Sequence, residues 1–309
     1  MEKMKQYIIR RLGATVIVIL AVSFISFIML RLTPGNPALM MLPEDATIEQ
    51  IKEMEIYLGL DKPLYVQYIK YIANVLKGDL GTSLQYKRPC LEIIMLRFPN
   101  TLILAITGVF LGMLIAIPLG VTAGVYQGSM IDLLCVFFSM IGQSLSAIVL
   151  GLLLVMLFSV KLDWLPSQGT GGIRHLILPA LTIALPNAAT LTRMARSGMV
   201  DVLKEDYITA TYARGISKEK VYMKYALKNA LIPVITMVGM SIANYMAGAV
   251  ITENIFNWPG IGTLTKDAIS FRDYPLVQAV LLLVAATIAI VNLLVDIINS
   301  FVDRRMSVR

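Results

Sequence analysis

The side chains able to perform acid–base or metal chemistry are few and scattered. His175 is the one histidine, and Cys90 and Cys135 are the two cysteines; a metal site needs three or four such ligands converging. His175 reads as a lone histidine at a membrane interface. Cys90 falls in a loop and Cys135 in an apolar stretch, so no disulfide is expected between them. No G-x-S-x-G elbow or H-E-x-x-H pair joins a nucleophile to a base, and no G-x-x-x-x-G-K-[ST] loop cradles nucleotide phosphates. The chain alone is therefore not expected to be an enzyme or to hold a cofactor.

One passage stands out by residue type, Thr209 to Pro233, TATYARGISKEKVYMKYALKNALIP. Asp201 to about Arg214 reads as one helix, Gly215 breaks it, and Ser217 caps a second helix that runs to about Asn229. Glu219 falls in the favourable first turn of that second helix. Two short helices joined at a glycine make a projecting basic hairpin. Such a knob suits insertion into a groove on a soluble partner, and equally an interfacial helix drawn to anionic lipid. Composition leaves both open.

The elements that must position the hairpin cross a membrane. The chain is 57% hydrophobic and 15% charged, whereas charged residues make up roughly a quarter of soluble domains. Uncharged apolar windows lie at 12–30, 101–126, 133–160, 176–192, 229–252 and 274–295, and a crossing helix needs roughly 20 residues. Six spans follow, the fourth being short. Nothing resembles the alternation of a membrane β-barrel, so helices must satisfy the backbone. The first window follows Lys3, Lys5, Arg10 and Arg11, exceeds a signal-peptide core and ends at Arg31 without a cleavage site, so it reads as a retained span.

With the N-terminus inside, the inner face holds fifteen cations against eight acidic residues, and the outer face twelve of each. The whole net charge of +7 then sits on the cytoplasmic side, as the positive-inside rule asks. Both termini are expected there, and orientation accounts for the basic excess without invoking nucleic acid.

Residues 32–100 form the one sizeable aqueous segment. Thr47 with Gln50 makes a capping box for a helix to about Leu58, ended by Gly59. Asp61-Lys62-Pro63 opens a second, amphipathic helix to about Leu76, closed by the turn Gly78-Asp79-Leu80-Gly81. The segment reads as scaffold, as a cap on the outer mouth of the spans or as a surface for a partner. Within the spans, Pro118, Pro179 and Pro186 free backbone carbonyls, which fits either plain packing or a polar path.

No window contains an ionisable residue, whereas ion-coupled carriers hold one as a relay. Asp132, Arg193, Glu253 and Asp296 stand at window edges, where water or head groups would solvate them. The polar groups at depth are neutral. Among them Gln143, Ser144, Asn187 and Asn244 are candidates for a translocation path, or else for gluing helices together. If solute moves against a gradient, the work must come from another polypeptide at the cytoplasmic face.

The hairpin passage, extended to EDYITATYARGISKEKVYMKYALKNALIPVIT, resembles the cytoplasmic EAA loop of ABC-importer permeases of the dipeptide/oligopeptide family. Tyr207, Ala210, Ala213, Gly215, Asn229, Ala230 and Pro233 fall at that family's spacing. Further stretches agree in order: IIRRL at the start, LTPGNPA at 32–38, LGLDKPLYVQY at 58–68, GDLGTS at 78–83, FPNTLILA at 98–105, WLPSQG at 164–169, HLILPALT at 175–182, ENIFNWPGIG at 253–262, RDYPLVQ at 272–278 and NLLVDII at 292–298. The similarity covers practically the whole chain.

The resemblance implies an all-α, six-span permease of the type I ABC-importer fold. A first span would occupy 1–31, an extracytoplasmic segment 32–100, and a five-helix core 101–309 with its coupling loop at 193–229. It implies a second, similar permease beside this one, two cytosolic ATPases carrying the ATP and Mg²⁺, and an external solute-binding protein. Tyr207, Ala210, Ala213, Arg214, Gly215, Ser217, Lys218 and Glu219 would form the surface that meets the ATPase. Thr209, Ala210 and Thr211 stand where the general pattern has its acidic residue, and Tyr225 where histidine is common. GQSLSAIVLG at 142–151 lacks the family's usual proline and aromatic, which leaves substrate identity open among peptides, nickel, opines and glutathione. A self-contained carrier or channel would need an internal repeat or a charged filter, and neither is read here.

Overall fold

A computed structural model of the chain describes residues 2–32, 46–246 and 249–302. All but the first residue of the LTPGNPA stretch, and the cations after position 302, lie outside the described residues. What is described is helical, with one isolated bridge between Thr82 and Pro89. The long helices are α1 (Glu2–Leu32), α4 (Cys90–Val125), α7 (Ile173–Leu203) and α13 (Tyr274–Val302). Two bent pairs complete six apolar crossings: α5 (Met130–Ser144) with α6 (Ala147–Lys161), and α9 (Lys218–Ala230) with α10 (Ile232–Met246). Short helices α2 (Ile48–Leu58), α3 (Leu64–Leu76), α8 (Asp206–Ala213), α11 (Val250–Ile255) and α12 (Ile261–Ser270) fill the connections.

The centre of the bundle is the pair α4 and α7. In its most apolar stretch α7 has 61% of residues buried, against 17% for α1 and α13, so α7 is the axle and the other two are rim. The reason is a stripe of small residues on α4, Gly108, Gly112, Ala116, Gly120 and Gly124, repeating every fourth residue so that one face is nearly bare backbone. A Cβ on Gly120 would lie 2.6 Å from the Thr192 carbonyl oxygen, a distance no side chain tolerates. Gly108 meets Ala180, Gly112 meets Ala184, Gly120 meets Thr192 and Gly124 meets Arg196. Each pair is 72 residues apart, so α4 and α7 run parallel. Parallel neighbours require the chain between them to cross back once, which identifies the bent α5–α6 pair as a single span.

Three sequence expectations shift. The third span is not straight: α5 and α6 meet at 100°, because Leu145 is extended and Ser146 restarts the helix by accepting the Val149 N–H. The fourth, read as 176–192, is a helix of 31 residues that carries Pro179 and Pro186 without a break. It turns Arg193 and Arg196 into helical residues near its C-terminal end. The second begins at Cys90, well before position 101, with Pro89 at the preceding position.

The segment between α1 and α4 follows its capping signals. Gln50 N donates to Thr47 Oγ1 at 3.3 Å and Thr47 N donates to Gln50 Oε1 at 2.9 Å, starting α2, and left-handed Gly59 ends it. A loop after the Gly78–Gly81 turn then clips onto the start of α13. There buried Asp273 accepts from the Ser83 hydroxyl, Gln85 N and Leu276 N.

Candidate functional site

The hairpin grows from the C-terminal end of α7. That helix stops at Leu203, Glu205 is extended, and α8 starts at Asp206, so the expected single helix from Asp201 to Arg214 is two helices with an elbow at Lys204 and Glu205. After α8 the chain reverses at Gly215, whose φ of +75° is comfortable only for glycine. Ser217 precedes α9 with an extended backbone but makes no side-chain cap. α9 itself carries a widened turn from Val221 to Ala226 before reaching Ala230.

The hairpin is solid rather than a loose loop. Ile208 of α8 packs with Val221, Ala226 and Ala230 of α9 and with Met199 of α7. Val121 and Val125 at the inner end of α4 close the same cluster. A Cβ on Gly198 would lie 2.5 Å from the Ala230 carbonyl oxygen, so α9 rests directly on α7. Across the hairpin Asn229 Nδ2 donates to the Tyr207 hydroxyl at 2.8 Å, while within α8 Thr211 Oγ1 donates to the Tyr207 carbonyl at 2.6 Å. This apolar interior leaves Tyr207, Ala210, Ala213, Arg214, Gly215, Ser217, Lys218 and Glu219 all exposed, gathered around the bend. Space is open beyond Gly215, where an added Cβ would meet nothing within 4 Å. The arrangement can dock a partner against bare backbone and short side chains ringed by charge.

The path candidates lie at one depth but do not converge. Gly142 packs on Leu185 and Ala189 of α7, which places Gln143 and Ser144 at the level of Asn187. Asn187 is buried and accepts from Ser241 Oγ at 2.9 Å. Its Nδ2 has no partner among the described residues. Gln143, Ser144 and Asn244 are exposed on the outside of the chain, with Ser144 Oγ turned back to the Met140 carbonyl.

Two polar anchors were not legible beforehand. Asp132, expected to be solvated at a window edge, is buried. It receives Arg196 Nε at 2.5 Å, Arg196 Nη2 at 2.8 Å and Gly128 N at 2.9 Å, tying the start of α5 to the inner end of α7. Asp296 likewise faces Arg11 at 2.9 Å rather than water alone.

Glu253, in α11, is fully buried, and no cation pairs with it among the described residues. Thr101 Oγ1 donates to it at 2.7 Å and Thr263 N at 3.0 Å, so the carboxyl group seats on the first turn of α12. Gly260 and Gly262 make the cradle, since a Cβ on either would fall within 3 Å of the carboxyl group. Burial pushes the Glu253 pKa up, while these hydrogen bonds partly offset it. Beside it Trp258 Nε1 donates to the Asn100 carbonyl at 3.0 Å and Asn100 Nδ2 to the Pro259 carbonyl at 2.9 Å, bolting α4 to the loop before α12. The G-I-G spacing seven residues after a glutamate was the available signal.

Known proteins agree with this architecture. Residues 116–308 match the family described as binding-protein-dependent transport system inner membrane component, and residues 4–105 match its N-terminal companion. The glutathione transport system permease protein GsiC of Salmonella paratyphi A is 39% identical over 300 residues, covering 97% of this chain and 98% of that one. The oligopeptide transport system permease protein AppB of Bacillus subtilis is 40% identical over 315 residues, covering 98% and 99%. Among solved structures, an inward-facing conformation of the MetNI methionine ABC transporter superposes with a TM-score of 0.58 at 17% identity, over 69% of this chain and 97% of that one. With both family segments matched and relatives alike over nearly the full length, the chain belongs to the inner membrane permease components of binding-protein-dependent ABC transport systems.

Proposed function

We propose that this chain is the peptide-conducting permease of an ATP-driven importer, taking up short peptides with glutathione among them. The observation that carries the reading is near-full-length relatedness to permeases named for oligopeptide and for glutathione transport, at 40% and 39% identity. In this reading a second permease of the same kind completes the path, and an external binding protein hands over the solute. Two cytosolic ATPases hold the ATP and Mg²⁺; this chain holds neither. Both termini face the cytosol, as the distribution of Lys and Arg supports.

The rigid hairpin is the transmitting part. Gly215, Ser217, Lys218 and Glu219 enter the ATPase cleft, with Tyr207, Ala210, Ala213 and Arg214 on its flank. Closure of the ATPases displaces the shared cluster of Ile208, Met199 and Val125, and α4 and α7 swing together between outward and inward openings. Gln143, Ser144 and Asn244 face the second permease across the path.

Uptake of labelled dipeptide, longer peptide, glutathione and nickel by cells lacking the chain, with and without its return, tests the reading. Restored peptide uptake that depends on ATP is expected. Restoration of nickel uptake alone would assign the cargo elsewhere, and uptake independent of any ATPase would replace the importer with a self-contained carrier.

A further inference from the structure

The segment between α1 and α4 is expected to be aqueous, yet α3 packs against membrane-crossing helices. The Tyr68 hydroxyl sits 2.8 Å from Ser23 Oγ and 3.2 Å from the Leu20 carbonyl oxygen of α1. The Tyr68 ring meets Phe24 edge-on, with centroids 5.2 Å apart, and Tyr71 stacks on Phe27 at 6.1 Å. Tyr71 also lies near Gln278 of α13, with no hydrogen bond made by its hydroxyl among the described residues.

The depth of these contacts follows from helix rise. The Arg11–Asp296 ion pair marks a common inner level for α1 and α13. At 1.5 Å per residue, Leu20 lies about 14 Å above that level, Phe27 about 24 Å and Gln278 about 27 Å. A hydrocarbon core is about 30 Å thick. Tyr68 and Tyr71 therefore hold α3 beside the outer part of the apolar layer, not above it.

The rest of α3 suits that depth. Tyr65, Ile69 and Leu76, at spacings of four and seven, form an apolar stripe that is 68%, 64% and 82% exposed. Ile25 and Met29 on α1 are exposed apolar residues as well. Lys70, Lys77, Gln67 and Asn74 occupy the polar side. Lys70 Nζ reaches back toward Gly59 at the end of α2, and lysine stems of this kind extend from apolar depth to head groups. The helix thus has two apolar faces, one taken by α1 and α13 and one free, with a cationic edge between them.

We infer that α3 is a lipid-embedded interfacial helix. Its Tyr65–Ile69–Leu76 stripe is covered by acyl chains of the outer leaflet, and Lys70 and Lys77 stand at the phosphate level. It anchors the outer segment to the bilayer and fixes its height over the outer ends of α1 and α13.

Nitroxide labels test this in the full-length chain, reconstituted with its co-purifying subunits in liposomes of phosphatidylethanolamine and phosphatidylglycerol. Single cysteines replace Ile69, Leu76 and, as a polar-side control, Lys70; the native Cys90 and Cys135 are both buried, and the unsubstituted chain reports any background labelling. Labels at 69 and 76 are expected to collide with oxygen severalfold more than with a water-soluble nickel chelate, and the label at 70 to show the reverse preference. Greater access of the nickel chelate at 69 and 76 would put the stripe in water and overturn the inference. Low access to both agents would mean that a protein, a second copy or an external subunit, covers the stripe, and would overturn it equally.

Discussion

The Arg196 guanidinium holds the Asp132 carboxylate side-on through two hydrogen bonds of 2.5 and 2.8 Å. This paired fork joins the start of α5 to the inner end of α7, beside the hairpin. Asp132 is buried and Arg196 partly exposed, so removing one partner of these charge-assisted hydrogen bonds should cost about 1–3 kcal/mol. Asp132→Asn should lower the thermal midpoint of the purified chain markedly. The double variant Asp132→Asn/Arg196→Gln should recover part of that loss. Additive losses in a thermal-shift double-mutant cycle would show that the pair does not couple.

Glu253 gives a pH-dependent signature. Its pKa is raised by burial above the ordinary 4.5, so the folded chain binds the proton more tightly than the unfolded one. The favourable contribution is complete below the unfolded value and is lost as pH rises through the folded one. Thermal stability should therefore fall across that interval in the native chain. Glu253→Gln should lose this decline and carry instead a pH-independent penalty of about 1–3 kcal/mol, because its amide cannot accept from both Thr101 and Thr263. Parallel pH slopes for the two proteins in thermal-shift scans would refute this.

Gly215→Val forces a β-branched side chain into the left-handed region at a cost of about 1–2 kcal/mol. The buried cluster beneath should keep the hairpin folded, so membrane insertion is expected to persist while ATPase co-purification and uptake both drop. Unchanged recovery of the ATPase with unchanged uptake would remove this bend from the coupling surface.

Gly120→Ala probes the α4–α7 seam. The new methyl would lie 2.6 Å from both the Ala195 Cβ and the Thr192 carbonyl oxygen, forcing the parallel helices apart, and overpacking of this kind typically costs about 1–3 kcal/mol. Lower yield and a lower midpoint are expected. The same change at Gly13, where nothing lies within 4 Å, should leave both nearly unchanged.

The apolar windows, the capping box at Thr47 and the break at Gly215 were legible because each depends on neighbours within a few residues. Composition set the membrane class for the same reason. The 100° bend at Leu145 was hidden, since it depends on Ser146 winning a local contest against an uninterrupted apolar run. The length of α7 was hidden because Arg193 and Arg196 look like a span's end until Asp132, 64 residues away, accounts for the second of them. Glu253 stood next to its own cradle in sequence. Its donor Thr101, though, lies 152 residues earlier, and no periodicity links the two. Of the hairpin, the exposed rim could be listed from the chain order, but its stiffness could not, because Val121 and Met199 come from different spans.

The 72-residue register of α4 on α7 has a mechanical corollary. Two rods meshed tooth to tooth, as α4 is from Gly108 to Gly124 on α7, resist sliding past one another, so a push at one end favours rotation of the pair as one beam. The Asn100–Trp258 bolt fastens that beam, part-way along α4, to the loop before α12. Under the coupling proposed above, a push at the hairpin would therefore emerge as a tilt of the wall itself, carried from one side of the bilayer to the other by the small-residue seam.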